Sequence, residues 1–459
     1  NTYRSWIKKE TYKEILSQYK IDLSKPYITE LVNDISVVLP IGVPVNKDKV
    51  ILAENKMWEH KIENRGVRLG GVIISWNILQ HFYPYWDVVN ADWDSVLNTS
   101  LIKAFVDSSD QDYQKTLEQL VANLKDGHGR IYNKNHNRKW RGVPVWPTLA
   151  EGKIVVQKCI DCSMLGIKPG DEIIAIDGRP AHELLEERIQ SVSGSPQYKR
   201  KLSVNKLLGS YTENDTMLIE LLNEQGDQYA GKLIRSEDVW DKKPYQYKKI
   251  EEIEKGIYYV SIDRATYKDF KQALPKLKIA KGIIFELKQY PKDDNSDKQL
   301  NYLTEKPIKG PRWLRPEIIY PDQLHVTKYE TRGRWKLKPK KPYLGEKKIV
   351  FITGGRAISY AEGYMSIVEH YKLGHIVGEE ATAGANGDMN FIKLPGNFKL
   401  GYTGMRTLKH DGSQHHLVGI NPDYLHSVTI EGIRNGKDEL IEKALNIIKE
   451  PTNVSLNHE

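Results

Sequence analysis

Between Gly256 and Gly378 the chain alternates short apolar runs with helical stripes. The order is GIYYVSI (256–262), a helix near Tyr267–Leu277, GIIFELK (282–288), a long irregular stretch, KIVFIT (348–353), a helix, then HIVG (375–378). This alternation constrains the fold more than any other feature. Runs that are apolar at nearly every position bury both faces, and strands joined through helices pair in parallel by crossover connections. The expectation is a mixed α/β core on a largely parallel sheet. A chain of 459 residues has room for two to four domains and buries enough surface to need no covalent staples.

Upstream the period changes. Val72, Ile73, Trp76, Leu79 and Gln80 recur near helical spacing, as do Trp93, Val96, Leu97, Leu101 and Phe105 after a break at His81–Asp87. Tyr113, Leu117, Leu120, Val121 and Leu124 form a third stripe, which stops at Asp126-Gly127-His128-Gly129. Gly127 is expected there as the left-handed residue ending a helix. From Gly142 to Ser236 short strands and turns dominate: KIVVQK, the Pro-Gly turn before EIIAI, the Asp-Gly turn after it, a helix through Leu184, Leu185 and Ile189, and a hairpin of MLIELL with YAGKLIR. The expected parts are 1–57 as the remnant of an upstream region, with an edge strand in Ile35–Val45, 58–140 as a helical segment, 141–240 as a β-rich domain, and 241–459 as the α/β core.

Composition excludes several classes. Lys+Arg 68 against Asp+Glu 60 gives +8, too dilute for a nucleic-acid binder. The one dense basic run, Lys336–Lys341, contains Pro339 and reads as a solvated connector. Two cysteines, Cys159 and Cys162, give no disulfide framework and too few ligands for a zinc site, which takes about four. No run approaches the roughly 18 apolar residues of a membrane helix, so no membrane insertion is expected. A start at Asn1, with neither Met nor a charged-then-apolar leader, suggests a processed product.

Chemistry concentrates at GGRAISYAE (354–362), where a buried strand turns into a helix at Ser359. Two readings compete. Ser359-Tyr360-Ala361-Glu362 fits the S-x-x-E capping box, in which the serine only caps the helix. Alternatively, a serine at this corner has free backbone N–H groups beside it that stabilise an oxyanion when its hydroxyl attacks a carbonyl. Attack requires a base. His128, in its Gly-flanked turn two residues after Asp126, is the first candidate, although most loop histidines are surface residues. His410, His415 and His416 offer a metal-hydrolase alternative but lack the H-E-x-x-H geometry. Lys372, the next lysine after Ser359, lies on the following helix, which weakens a Ser-Lys dyad.

These residues carry a resemblance. LKDGHGRIY (124–132), GIKPGDEIIAIDGRP (166–180), GIIFELK, GGRAISYAE, VGEEATAGANG (377–387), YTGMRTLKHDGS (402–413) and GINPD (419–423) fall in the order found in the tail-specific, or C-terminal-processing, serine peptidases, nearest their tricorn-like branch. The similarity spans roughly residues 60–450. It implies a crotonase-like α/β core with an N-terminal helical segment and a PDZ-like domain, and a serine endopeptidase acting on protein or peptide substrates without a cofactor. Ser359 then matches the nucleophile, His128 the base and the Tyr360 N–H one oxyanion donor. Where the tail-specific branch places its lysine this chain has Thr382-Ala383-Gly384-Ala385-Asn386, which favours the Ser-His pair. The family's acid near the base corresponds to Asn421 or Asp423, with Glu431 as a further substitute. Gly142 and Val143 fall in the loop that captures a substrate carboxylate. Glu286–Lys292 lacks the glycines that bring a second oxyanion donor close, which keeps open a weakened or inactive protein that binds peptides or a small ligand. The resemblance also implies a periplasmic or cell-surface setting.

Overall fold

In a computed structural model the described residues are 61–134, 140–211, 216–237, 242–318, 326–331 and 333–451, with Val239 and four short strands between 27 and 50. Within Ile35–Val45, Ser36–Leu39 forms a strand paired antiparallel with Tyr27–Glu30. Val45–Asn46 pairs antiparallel with Lys49–Val50, and the rest of the segment 1–57 lies outside the described residues.

The core sheet has six strands in the order 250–254, 257–261, 282–287, 348–353, 375–378, 424–425. All pair in parallel except the first two, which form a hairpin. Alternation within the apolar runs splits them between two layers. Ile283, Phe285, Leu287, Ile349 and Phe351 pack against the helices Tyr267–Lys278 and Tyr360–Tyr371. Ile284, Val350, Ile352 and Val377 pack against Leu440, Ile441, Ala444, Ile447 and Ile448 of the helix Glu439–Lys449. Burying each such side chain contributes about 1.5–3 kcal/mol. The runs read as two-sided strands for this reason.

Three helices, Arg65–Phe82, Trp93–Val106 and Asp110–Ala122, follow the expected stripes. Asn64, Asp92 and Ser109 cap them, each accepting from a first-turn N–H. The third ends earlier than expected, and the left-handed residue is Lys125 (φ 49°), not Gly127. The core of this segment is shared: Ile392, Leu394, Phe398, Leu400 and Tyr402 from the hairpin 389–403 pack into it. The hairpin's second strand also pairs antiparallel with Arg130–Asn133.

The β-rich module is an antiparallel sheet of strands 145–150, 153–159, 172–176, 216–222 and 228–234, with helices Ala181–Ser191 and Pro196–Asn205. Asp177 and Gly178 both take positive φ, as a two-residue hairpin turn requires. Cys159 and Cys162 pair as a disulfide at the end of one strand. Among the described residues no helix is long and apolar enough to cross a membrane.

Candidate active site

Ser359 follows the central strand Lys348–Thr353, at the C-terminal edge of the parallel sheet, where open α/β folds place their ligands. Its backbone sits at φ 60°, ψ −112°, and its side chain makes no capping hydrogen bond. The capping-box reading therefore fails, because Glu362 points elsewhere. Buried, it accepts from Thr382 Oγ1 at 2.6 Å, Gly384 N at 2.7 Å and Ala385 N at 2.7 Å, with His415 Nε2 3.3 Å away. Burial opposes its ionisation, but His415 and these donors outweigh that and hold its pKa below the usual value. Glu362 thus ties the turn 382–385 to the helix that starts at Ser359, and Ala385 O in turn accepts the Ser359 N–H at 2.9 Å. Strained backbone at a corner held this firmly is a feature of functional sites.

The Tyr360 N–H donates to no group among the described residues. The Tyr360 ring is anchored by its hydroxyl, which donates to Asp297 Oδ1 at 2.6 Å. At the end of the strand Gly282–Leu287, the Lys288 and Gln289 N–H groups donate to the Asp263 carboxylate at 3.2 and 3.3 Å. Burial, aided by Glu286, pushes the Asp263 pKa up to about 7.

His128 reaches the same place from the other side of the molecule. Arg130 pairs with Gly401, and extending that register by two residues sets His128 opposite Thr403. Its Nδ1 lies 2.8 Å from Thr403 Oγ1, which donates to Asp126 Oδ1 at 2.7 Å. Asp126 also accepts from the His128 N–H at 3.0 Å and the Thr403 N–H at 2.6 Å. With the Thr403 proton directed at the carboxylate, Thr403 accepts from His128 Nδ1–H. That tautomer leaves Nε2 as the basic nitrogen. Burial lowers the His128 pKa, opposed by Asp126 and reinforced by Arg130.

Gly127 is required for close approach. An added Cβ would meet Ala385 Cβ and Ile358 Cδ1 at 2.9 Å each, so the histidine turn packs directly on the serine corner. Tyr198, Ile358, Ala383 and Ala385 form the small apolar cluster at this junction. Ser359 and His128 line one cleft of about 1410 Å³, with Tyr198 and Lys206 from the β-rich module on its wall. Ser193, just before the module helix Pro196–Asn205, and Ser195 at its start fix it there: Ser193 Oγ accepts from Asp126 N, and Ser195 Oγ donates to Ala383 O.

Other expected residues are placed elsewhere. Asn421 is exposed, and Asp423 Oδ2 accepts from Ile376 N in the sheet. Thr403 and Asp126 surround His128 Nδ1 in their stead. Asp126 was visible as a neighbour in sequence, whereas Thr403 gave no local signal. The Gly142 N–H donates to Ser236 O, so this group is not free for a carboxylate, and the Val143 side chain is in the module core. His410 stacks on His370, His415 faces Glu362 and His416 stacks on Tyr85, so they do not converge on one point.

Residues 256–426 match the sequence model of Peptidase family S41. No curated protein matches the chain. Among solved structures, mature CPAF superposes with a TM-score of 0.67 at 13% identity, over 85% of this chain and 99% of that one. Mature CPAF complexed with lactacystin gives 0.66 at 12%, over 84% and 98%. The photosystem II D1 C-terminal processing protease gives 0.46 at 14%, over 81% and 98%. At these identities the likeness to the two CPAF structures is one of fold. The strand-to-helix corner bearing Ser359 lies inside the matched region, so over residues 256–426 the chain is similar in sequence to Peptidase family S41 and carries this corner within that stretch.

Proposed function

We propose that the chain is an endopeptidase of Ser-His type that cleaves protein or peptide substrates through an acyl-enzyme. The observation that carries this reading is a serine at φ 60° that caps nothing, in one cleft with a histidine whose Nδ1 is committed to Thr403, itself bonded to Asp126. His128 Nε2 takes the Ser359 proton as Oγ attacks the scissile carbonyl. Asp126, through Thr403, keeps the imidazole in the productive tautomer and favours its protonated form. The Tyr360 N–H donates to the oxyanion. His128 then protonates the leaving amine, and water resolves the ester by the reverse sequence. We read the 142–236 module as PDZ-like and expect it to present peptide segments to the cleft, and we assign the protein to the periplasm or cell surface.

A second reading, peptide binding with weak turnover, is favoured by one observation. Asp263 occupies the N–H groups of Lys288 and Gln289, which leaves the oxyanion one donor short, a loss of about 10²–10³ in rate. Labelling by a fluorophosphonate, together with digestion of an unfolded protein substrate, separates the two. Labelling and cleavage that both vanish in Ser359→Ala support the peptidase; an unlabelled wild type that still binds peptide tightly supports the binder. Lactacystin, held by mature CPAF, is a suitable first inhibitor.

A further inference from the structure

The near-neutral balance of the whole chain conceals a local excess. Nine Lys and Arg line the cleft against four Asp and Glu, whereas the full sequence has 68 against 60. Eight of these cations, all but Lys288 and among them Arg130, Lys158, Arg188, Lys206, Lys243 and Arg356, form no ion pair among the described residues. They are near neighbours electrostatically. Lys206 feels Arg130, Arg188 and Arg356, and Lys243 feels Arg356 and Lys158. Arg356, three residues before Ser359, joins the two groups and donates to Asn205 Oδ1 at 3.0 Å, beside Lys206. Trp140 lies 5.6 Å from both Arg188 and Lys206. The carboxylates offset part of this from a distance, Glu118 acting on Arg188 and Lys206, Asp438 on Lys158, Glu286 on Lys243 and Asp263 on Arg356. Each has a nearer partner or, for Asp438, lies 3.9 Å from Lys288. Glu286 is paired to Lys288 at 2.7 Å, Asp263 holds the backbone at 288–289, and Glu118 accepts from Gln114.

Half-buried cations without counter-ions repel one another and are poorly solvated. Burial, reinforced by neighbouring cations, pushes Lys206 and Lys243 down to about 8. An anionic group entering the cleft relieves both costs at once.

We infer that the band Lys206–Arg356–Lys243 beside Ser359 is a specificity site for carboxylate side chains, and that the preferred substrate is an acidic peptide segment. This rests on the peptidase reading for its catalytic consequence, but not for binding. The test uses internally quenched peptides, acetylated and amidated, that carry either Glu and Asp or their amides Gln and Asn around the cleaved bond. Wild-type kcat/KM should favour the acidic peptide by about tenfold or more, as expected for charge-assisted hydrogen bonds. The advantage should shrink with added salt. Lys206→Gln and Lys243→Gln, each checked for an intact melting transition, should both narrow the ratio. Equal rates for acidic and amide peptides would overturn the inference. So would a ratio indifferent to both substitutions, or a preference that depends only on a free C-terminal carboxylate. Anisotropy of the labelled peptides on Ser359→Ala protein separates the two proposals. Tighter acidic binding with no wild-type cleavage keeps the site and removes the Ser-His mechanism; cleavage with equal binding and equal rates does the reverse.

Discussion

The serine corner and the histidine turn are held by different physics. Ser359 is placed by backbone: a central parallel strand, a residue forced to positive φ, and a turn bonded to the buried Glu362. His128 is placed by side chains: Thr403, 275 residues away in sequence, bonds the imidazole, and Asp126 accepts from Thr403 and from the His128 N–H. Removing the serine hydroxyl therefore touches little structure, whereas removing Asp126 touches both structure and chemistry. Rigidity by backbone separates function from stability, and rigidity by a buried polar network joins them.

The largest effect should come from Ser359→Ala. Hydrolysis of an unfolded substrate should fall by about 10⁴–10⁶, with the melting temperature nearly unchanged because alanine keeps the Cβ and the same backbone. His128→Ala should cost nearly as much alone, and the double variant little more, since the two act as a unit; additive losses would show that they do not share a step. Asp126→Ala is the variant that breaks the contrast. It should lower activity by about 10³–10⁴ and also stability by about 2–4 kcal/mol in urea titration, because buried N–H groups of His128 and Thr403 lose their acceptor. Activity lost at full stability would refute the structural half of that role. Thr403→Val should reduce kcat by about tenfold to a hundredfold, with Thr403→Ser restoring most of it; an inert Thr403→Val would mean that Asp126 acts on His128 directly.

The smallest effect is with pH. The lowered pKa of His128 keeps the base neutral to below its usual 6.5, so kcat/KM should rise to a plateau already reached near neutrality. For stability, His410 and His416 titrate near 4 when folded against 6.5 unfolded. Below 6.5 the unfolded chain binds more protons at these two histidines, so their contribution to stability falls as pH drops from about 6.5 to about 4 and is level above that window. Asp263, raised to about 7 in the fold, offsets part of it with the opposite sign.

Much of the architecture was legible in sequence because buried strands and amphipathic helices carry their own periods. The apolar runs at 282–288 and 348–353 and the stripe around Val72 became the elements they suggested. The site was legible in outline, as a serine on a strand-to-helix corner and a histidine in a glycine turn. It was not legible in detail. Ser-x-x-Glu fits a helix cap as well as a nucleophile, and only the contacts of Glu362 with Thr382, Gly384 and Ala385 separate the two. Gly127 suggested a helix terminus, yet its role is to let Ile358 and Ala385 approach. Asp423, suggested through the GINPD stretch, bonds the sheet, and Thr403 supplies the contact in its stead.

By itself the sequence determined the parallel sheet, the helical stripes, the corner that bears Ser359 and the candidacy of His128, because these follow from local periodicity and local chemistry. Tertiary structure decided which groups meet. It joined His128 to Thr403 and Asp126 through a strand register, closed Gly142 onto Ser236, and gathered Lys206, Lys243 and Arg356 into one positive wall. A net charge is a sum that carries no positions, and hydrogen bonds between distant residues exist only once the chain has folded to bring donor and acceptor within about 3 Å.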